Sequence, residues 1–184
     1  MFKKINFVIF FCCCFLLGCS NGDKVVKNNG SQGTSTMASN PEIHFQTTQG
    51  DFTVELFADV PTTTENFVSL VASGFYNGLT FHRYVPGFVI QGGDPTGTGG
   101  GGSGKTIPLE ITDHKHLKGA LGMARSQDPN SASSQFYICL NDAPNLDGGY
   151  TVFGQVLDGM DNVMKLRQGD KMVKVELVKD NDAK

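Results

Sequence analysis

Residues 81–94 read FHRYVPGFVIQGGD and carry the most informative pattern in the chain. It predicts a pair of short strands rich in apolar and aromatic residues. Because side chains alternate between the two faces of a strand, His82 and Tyr84 are expected on one face and Arg83 on the other. A face of this kind can line a groove with an apolar floor and a few fixed hydrogen-bond donors. The pattern alone leaves open the alternative that these are ordinary core and rim residues.

Three later segments carry the same mixture of polar and apolar residues. They read LGMARS at residues 121–126, SSQFYIC at 133–139 and LDGGYTVFG at 146–154. The two-residue period places Gln135 and Tyr137 on one face of a strand. These segments therefore extend the groove hypothesis to several strands.

The rest of the pattern predicts a mainly β fold, a closed eight-stranded antiparallel β-barrel capped by two α-helices. Pro61 opens the first helix, Thr62 to Glu65 offer an N-cap and a capping box, and Gly74 ends it. The second helix covers residues 161–168 and is capped near Asp158. The eight predicted strands cover residues 42–49, 51–57, 80–84, 88–92, 120–124, 134–140, 151–156 and 171–179.

Length and composition fit one folded domain with an appendage. The chain has 184 residues, of which 39% are hydrophobic and 18% charged, and its formal net charge is −3. A wholly disordered chain and a protein with many membrane spans are excluded. The charge also gives no basic field for nucleic acid, so nucleic acid is not an expected partner.

The first 18 residues resemble a lipoprotein signal peptide. Lys3 and Lys4 precede an apolar run at residues 5–17, which is too short to span a membrane. The run ends in Leu-Leu-Gly-Cys, so Cys19 is the expected lipidation site, with an ordinary secretory signal as the alternative. Residues 19–40 then form a flexible linker, and residues 41–184 form the folded domain.

Three motifs with tempting chemistry are discounted. GGGGSGKT at residues 99–106 satisfies a P-loop pattern, but Pro108 and an extended segment follow where a helix is required. His114 and His116 lack further ligands at metal-binding spacing and are interpreted as residues of an exposed turn. Cys139 lies in an apolar strand and reads as a small buried thiol. No metal and no cofactor are expected.

The segments at 81–94, 133–139 and 146–154 strongly resemble those of the cyclophilins, a family of peptidyl-prolyl cis-trans isomerases. The resemblance covers residues 41–179 and implies the same eight-stranded barrel. It implies a catalytic set and a substrate-binding set, the latter made up of proline-pocket residues and residues that hold the peptide backbone. The catalytic set is Arg83, Phe88 and Gln91, and the substrate-binding set is Val89, Ala124, Gln135, Tyr137, Leu146 and Tyr150.

The resemblance also implies a function: isomerisation of X-Pro bonds in exported proteins, which assists their folding. The partners would be proline-containing polypeptides, and the protein would be a monomer held to the membrane through Cys19. Ser20 in place of Asp favours the outer membrane in a cell that has one. Asn145 stands where cyclosporin-sensitive members have tryptophan, so cyclosporin binding is expected to be weak. The alternative function is a proline-recognising chaperone or surface binding module with incidental turnover.

Overall fold

The computed structural model describes residues 39–178. The predicted signal peptide, the lipidated Cys19 and most of the predicted linker lie outside the described residues. No helix among residues 39–178 is both long and apolar enough to cross a membrane.

Eight strands and two short helices make up the described chain, with a single 3-10 turn at Pro144–Leu146. The helices are α1 (Pro61–Ala72) and α2 (Met160–Val163). The strands are β1 (Glu42–Thr47), β2 (Phe52–Leu56), β3 (Arg83–Val85), β4 (Val89–Gly92), β5 (Ala120–Met123), β6 (Phe136–Cys139), β7 (Val152–Asp158) and β8 (Met172–Leu177).

The strands form one antiparallel sheet in the order β3-β4-β6-β5-β7-β2-β1-β8. The prediction of a closed barrel goes further than this pairing, because the end strands β3 and β8 are not paired with each other along their lengths. Instead, residues 78–81, which lie ahead of β3, meet residues 169–172, which include Met172 at the start of β8. The contacts include a bridge between Thr80 and Lys171 and a 2.8 Å hydrogen bond from the Phe81 N–H to the Asp170 carbonyl. The sheet is therefore a curled sheet whose edges meet over one short segment.

The first helix begins at Pro61 as predicted, but its predicted capping box is wrong. Val60 is the N-cap and offers no side-chain hydrogen bond. The free N–H groups of Thr62 and Thr63 instead donate to the carboxylate of Glu110, at 3.0 and 2.6 Å. A carboxylate at a helix N-terminus satisfies these donors and interacts favourably with the helix dipole. Glu110 lies 47 positions from Thr63 in the chain, so no local sequence pattern predicts this cap.

The second helix is shorter than predicted and starts differently. Its N-cap is Gly159 rather than Asp158, with a left-handed φ of +79° that suits glycine. A Cβ at this position would lie 2.5 Å from the Asp51 carbonyl oxygen, so glycine also permits close backbone packing. The chain leaves the helix after Val163, and the Arg167 N–H donates to the Asp170 carboxylate at 2.7 Å.

The apolar side chains divide into a large cluster on one face of the sheet and a small one on the other, since neighbouring residues such as Val89 and Ile90 belong to different clusters. Phe45 and Phe52 stack at 4.6 Å in the large cluster, and Phe136 packs edge-on against Phe67 at 5.4 Å. The small cluster has fully buried and partly buried members. Its buried members are Val89, Ala120, Tyr137, Cys139, Ala143 and Val152, and the partly buried side chains packed on them include Phe88, Leu146 and Tyr150.

Candidate active site

The register of β3 and β4 places Arg83 directly opposite Gln91. The exposed guanidinium of Arg83 donates from Nη1 to Oε1 of Gln91 at 3.1 Å. Arginine is charged at every physiological pH and carries five N–H donors in a planar fork. The bond to Gln91 orients this fork and leaves other donors for a bound molecule.

Gln91 is held in turn by the next strand and the glycine-rich loop. Its Nε2 donates to Oε1 of Gln135 at 2.9 Å. Gln135 Nε2 then donates to the carbonyl oxygens of Gly99 and Gly101, at 3.0 and 2.8 Å. The amide orientations of both glutamines follow from this chain, because each amide nitrogen meets an acceptor.

The glycine-rich loop is organised by Asp94, which is 1% exposed. Its carboxylate accepts from the backbone N–H groups of Thr96, Gly99 and Gly101, at 2.7, 2.6 and 3.2 Å. Burial on its own raises the pKa of Asp94, but these hydrogen bonds favour the charged form and lower the pKa to about 2. A continuous hydrogen-bonded path therefore runs from Asp94 through the loop to Arg83.

Beside Arg83 lies a pocket of about 220 Å³. This is smaller than a typical site for a drug-sized ligand and suits a single ring. Eight of the nine residues predicted for catalysis or substrate binding meet there, and Gln135 lines a neighbouring groove instead. The pocket is lined by Arg83, Phe88, Val89, Gln91, Ala124, Arg125, Tyr137, Leu146 and Tyr150.

Arg125 is the lining residue that the sequence prediction missed. Its guanidinium lies 4.7 Å from the centre of the Tyr150 ring and donates to the Gly149 carbonyl at 2.8 Å. A cation over an aromatic face stabilises both groups. The signal available in the sequence was its position directly after Ala124, at the end of an apolar strand.

His116 is the clearest correction to the sequence analysis. It is 1% exposed rather than part of an exposed turn, whereas His114 stays partly exposed and contacts Asp59 at 3.0 Å. His116 Nδ1 lies 2.8 Å from Oδ1 of Asp147, and its Nε2 lies 2.9 Å from the Tyr137 hydroxyl oxygen. The hydrogen bonds from His116 to Asp147 lower the pKa of that carboxyl.

Cys139 is buried and unpaired, as the apolar strand around it predicted. Burial raises the pKa of its thiol to about 12. Within residues 39–178, no three His, Cys, Asp or Glu side chains are grouped so as to hold a metal ion.

The comparisons with known proteins agree on one family. The sequence model described as cyclophilin type peptidyl-prolyl cis-trans isomerase/CLD matches residues 42–182. A peptidyl-prolyl cis-trans isomerase from Synechococcus elongatus is 48% identical over 138 residues, which cover 73% of this chain and 94% of that protein. One from Helicobacter pylori is 45% identical over 130 residues, covering 68% and 79%.

Solved structures show the same relationship. A crystal structure of a Cryptosporidium parvum cyclophilin type peptidyl-prolyl cis-trans isomerase aligns with a TM-score of 0.71 at 33% identity. It covers 76% of this chain and 98% of the other. The fold is thus the cyclophilin fold, a curled sheet of eight antiparallel strands with two helices.

The chain belongs to the family of cyclophilin-type peptidyl-prolyl cis-trans isomerases. Its activity is the interconversion of the cis and trans forms of the peptide bond that precedes proline.

Proposed function

We propose that Arg83 is the catalytic residue of this isomerase and that the adjoining pocket holds the proline ring of the substrate. The observation that carries the proposal is the bond from Arg83 to Gln91 at the edge of an apolar, ring-sized pocket. Isomerisation is slow without a catalyst because the twisted amide loses its resonance. In the twisted state the prolyl nitrogen becomes pyramidal and accepts a hydrogen bond, which the Arg83 guanidinium donates.

Arg83 does not supply the whole acceleration. A hydrogen bond from a charged donor contributes about 1.5–3 kcal/mol. A 10⁵-fold acceleration would need roughly 7 kcal/mol. The remainder comes from gripping the substrate on one side of the bond while the other side rotates, so that binding energy is used to orient the reacting amide.

The pocket residues divide between these tasks. Phe88, Val89, Tyr137, Leu146 and Tyr150 provide the apolar walls for the proline ring. The residues that hold the flanking peptide backbone are Gln91, Ala124 and Gln135. A crystal structure of the Cryptosporidium parvum relative was obtained in the presence of the dipeptide Ala-Pro, which supports proline peptides as the ligand class here.

The proposal also places the enzyme at the cell envelope, as the lipoprotein form of the family. Residues 1–18 are a signal peptide, Cys19 carries the lipid, and residues 19–40 tether the domain that begins at residue 41. The substrates are exported proteins, whose folding the enzyme assists as a monomer. Replacing Cys19 with Ala should move the protein out of the membrane fraction of its host. Membrane-bound mature protein without lipid would overturn the anchor.

Cyclosporin inhibition should be weak, because Asn145 lacks the broad indole face of tryptophan. Asn145 lies in the 3-10 turn at Pro144–Leu146, directly before the pocket residue Leu146. Asn145→Trp should lower the inhibitory concentration of cyclosporin. Potent inhibition of the natural protein would contradict this assignment of position 145.

A chromogenic X-Pro peptide assay on residues 40–184 tests the function directly. This segment suits the assay because it contains the whole described fold, and the solved Cryptosporidium parvum chain is matched over 98% of its length. The isomerase proposal expects turnover that saturates with peptide. Binding of proline peptides without turnover would favour the alternative, a proline-recognising binding module.

A further inference from the structure

We propose that His116 and Asp147 are positioning residues for the proline pocket. They hold the ring of Tyr137 as a wall of the pocket and keep its hydroxyl turned away from the proline. The inference rests on the proposed role of that pocket, since Tyr137 and Leu146 both line it. It concerns substrate binding rather than the chemistry at Arg83.

The directions of the hydrogen bonds follow from the acceptors. A carboxylate only accepts, so the 2.8 Å contact to Asp147 places the proton of a neutral His116 on Nδ1. Nε2 is then an acceptor, and the Tyr137 hydroxyl donates to it at 2.9 Å. The single proton of the Tyr137 hydroxyl is donated to His116 and is not available to a ligand. A proline ring in the pocket would therefore contact Tyr137 as it would contact a phenylalanine.

His116 is also fastened to the segment that carries the other wall. Its backbone N–H donates to Oδ1 of Asp147 at 3.0 Å, and its carbonyl accepts from the Ala143 N–H at 2.7 Å. Leu146 lies directly before Asp147 and lines the pocket. One buried side chain thus links the strand that bears Tyr137 to the turn that bears Leu146.

The strand beside Tyr137 is adapted to the same arrangement. Gly122 pairs with Tyr137 in the register of β5 and β6. A Cβ at Gly122 would collide with Cζ and the hydroxyl oxygen of Tyr137. Tyr150 packs edge-on against Tyr137 from another direction, with ring centres 6.2 Å apart. The glycine therefore provides the space that lets the tyrosine reach His116.

Two variants of His116 separate its two hydrogen bonds. A glutamine places its amide near the position of Nε2 and can still accept from Tyr137, whereas an asparagine places its amide near Nδ1 and bonds only to Asp147. With residues 40–184, His116→Asn should raise KM about 3- to 10-fold with little change in kcat. His116→Gln should stay closer to the natural KM. Adding Tyr137→Phe to His116→Asn should restore much of the affinity, because the orphaned hydroxyl is then removed.

The natural protein offers a test that needs no variant. Nitrogen-15 NMR of the histidine rings should show His116 protonated on Nδ1, with a shift of its signals when an Ala-Pro peptide is titrated in. A proton on Nε2 of neutral His116 would overturn the proposal. So would an unchanged KM in a folded His116→Asn variant, or a loss that Tyr137→Phe fails to reduce.

The assay on the natural protein keeps this test separate from that of the function. If the protein binds Ala-Pro peptides without turnover, the isomerase proposal fails, while the dissociation constants of the same variants still decide the role of His116. If turnover is normal and the peptide dissociation constant is unchanged in the His116 variants, only the positioning proposal fails.

Discussion

Arg83 and Gln91 face each other across β3 and β4, and a 3.1 Å hydrogen bond joins Nη1 of the first to Oε1 of the second. Gln91 donates a hydrogen bond from its own amide N–H to Gln135. Gln135 in turn donates to the glycine-rich loop, whose backbone N–H groups bind the Asp94 carboxylate. An exposed arginine on a flexible stem is thereby oriented toward the pocket. The precision of the proposed active site depends on this chain of polar side chains.

Gln91→Leu should impair turnover more than folding. The substitution removes the acceptor that orients Arg83 and the donor to Gln135, while the partly exposed position tolerates an apolar side chain. We expect kcat/KM to fall about 3- to 10-fold, the equivalent of one or two ordinary hydrogen bonds. X-Pro peptide kinetics check this, with melting temperature as the control. Natural kinetics in a folded variant would show that Gln91 does not orient the arginine.

Asp94→Asn should destabilise the protein by about 1–3 kcal/mol, because an amide NH₂ would face a backbone donor that is now satisfied by the carboxylate. The pKa of Asp94 is about 2 in the folded state, below an unfolded value of about 3.9. The contribution of the Asp94 carboxylate to the free energy of unfolding is therefore complete above about pH 4 and is lost as the pH falls through about 2.

Urea unfolding of both proteins at pH 7 and between pH 4 and 2 checks the Asp94 prediction. The natural protein should lose stability over the acid range more steeply than Asp94→Asn. Asp170→Asn is a second test of the same principle. Burial raises the pKa of Asp170, but hydrogen bonds from Gln49 and the Arg167 backbone outweigh it and lower the pKa, so this substitution should also flatten the acid curve. Parallel acid curves for the natural protein and Asp94→Asn would refute the role given to this carboxylate.

Phe88→Ala should weaken peptide binding as well as turnover. Phe88 lines the pocket, and its loss removes apolar surface that would contact the proline ring. We expect the dissociation constant of a proline peptide to rise about 5- to 10-fold, measured by titration calorimetry. Phe75→Ala is the control, because Phe75 is also partly buried but packs against Tyr76 instead. Equal losses in the two variants would mean that Phe88 acts only through stability.

The sequence predicted the extended segments well because their alternation is local. The strands predicted at residues 80–84 and 88–92 overlap the observed β3 and β4. The register that places Arg83 opposite Gln91 was not predicted, because it depends on the turn between the two strands. The pocket residues came from the resemblance, since strand periodicity assigns a side chain to a face without saying which faces meet. Closure of the barrel requires that β3 pair with β8, and no pattern within either strand predicts whether the two strands pair.

The misplaced residues share a cause: their partners are distant in the chain. Glu110 caps α1, and His116 is buried by Asp147 and Tyr137, which lie 31 and 21 positions away. A histidine that follows Asp113, His114 and Lys115 is predicted to be exposed, because its buried partners are adjacent only in the fold. No local pattern predicts the role of Arg125 either, because Tyr150 becomes its neighbour only in the folded sheet.

The most direct test of the account compares turnover and peptide affinity in Arg83→Ala. If Arg83 donates to the prolyl nitrogen mainly in the twisted state, kcat/KM should fall at least about 10-fold while the peptide dissociation constant changes much less. Arg83→Lys should also be poor, because an ammonium does not reproduce the planar fork. Arg167→Ala serves as the matched control, since that arginine packs on the Tyr84 ring at 4.6 Å and does not line the pocket. Unchanged catalysis in a folded Arg83→Ala variant would contradict the proposed mechanism.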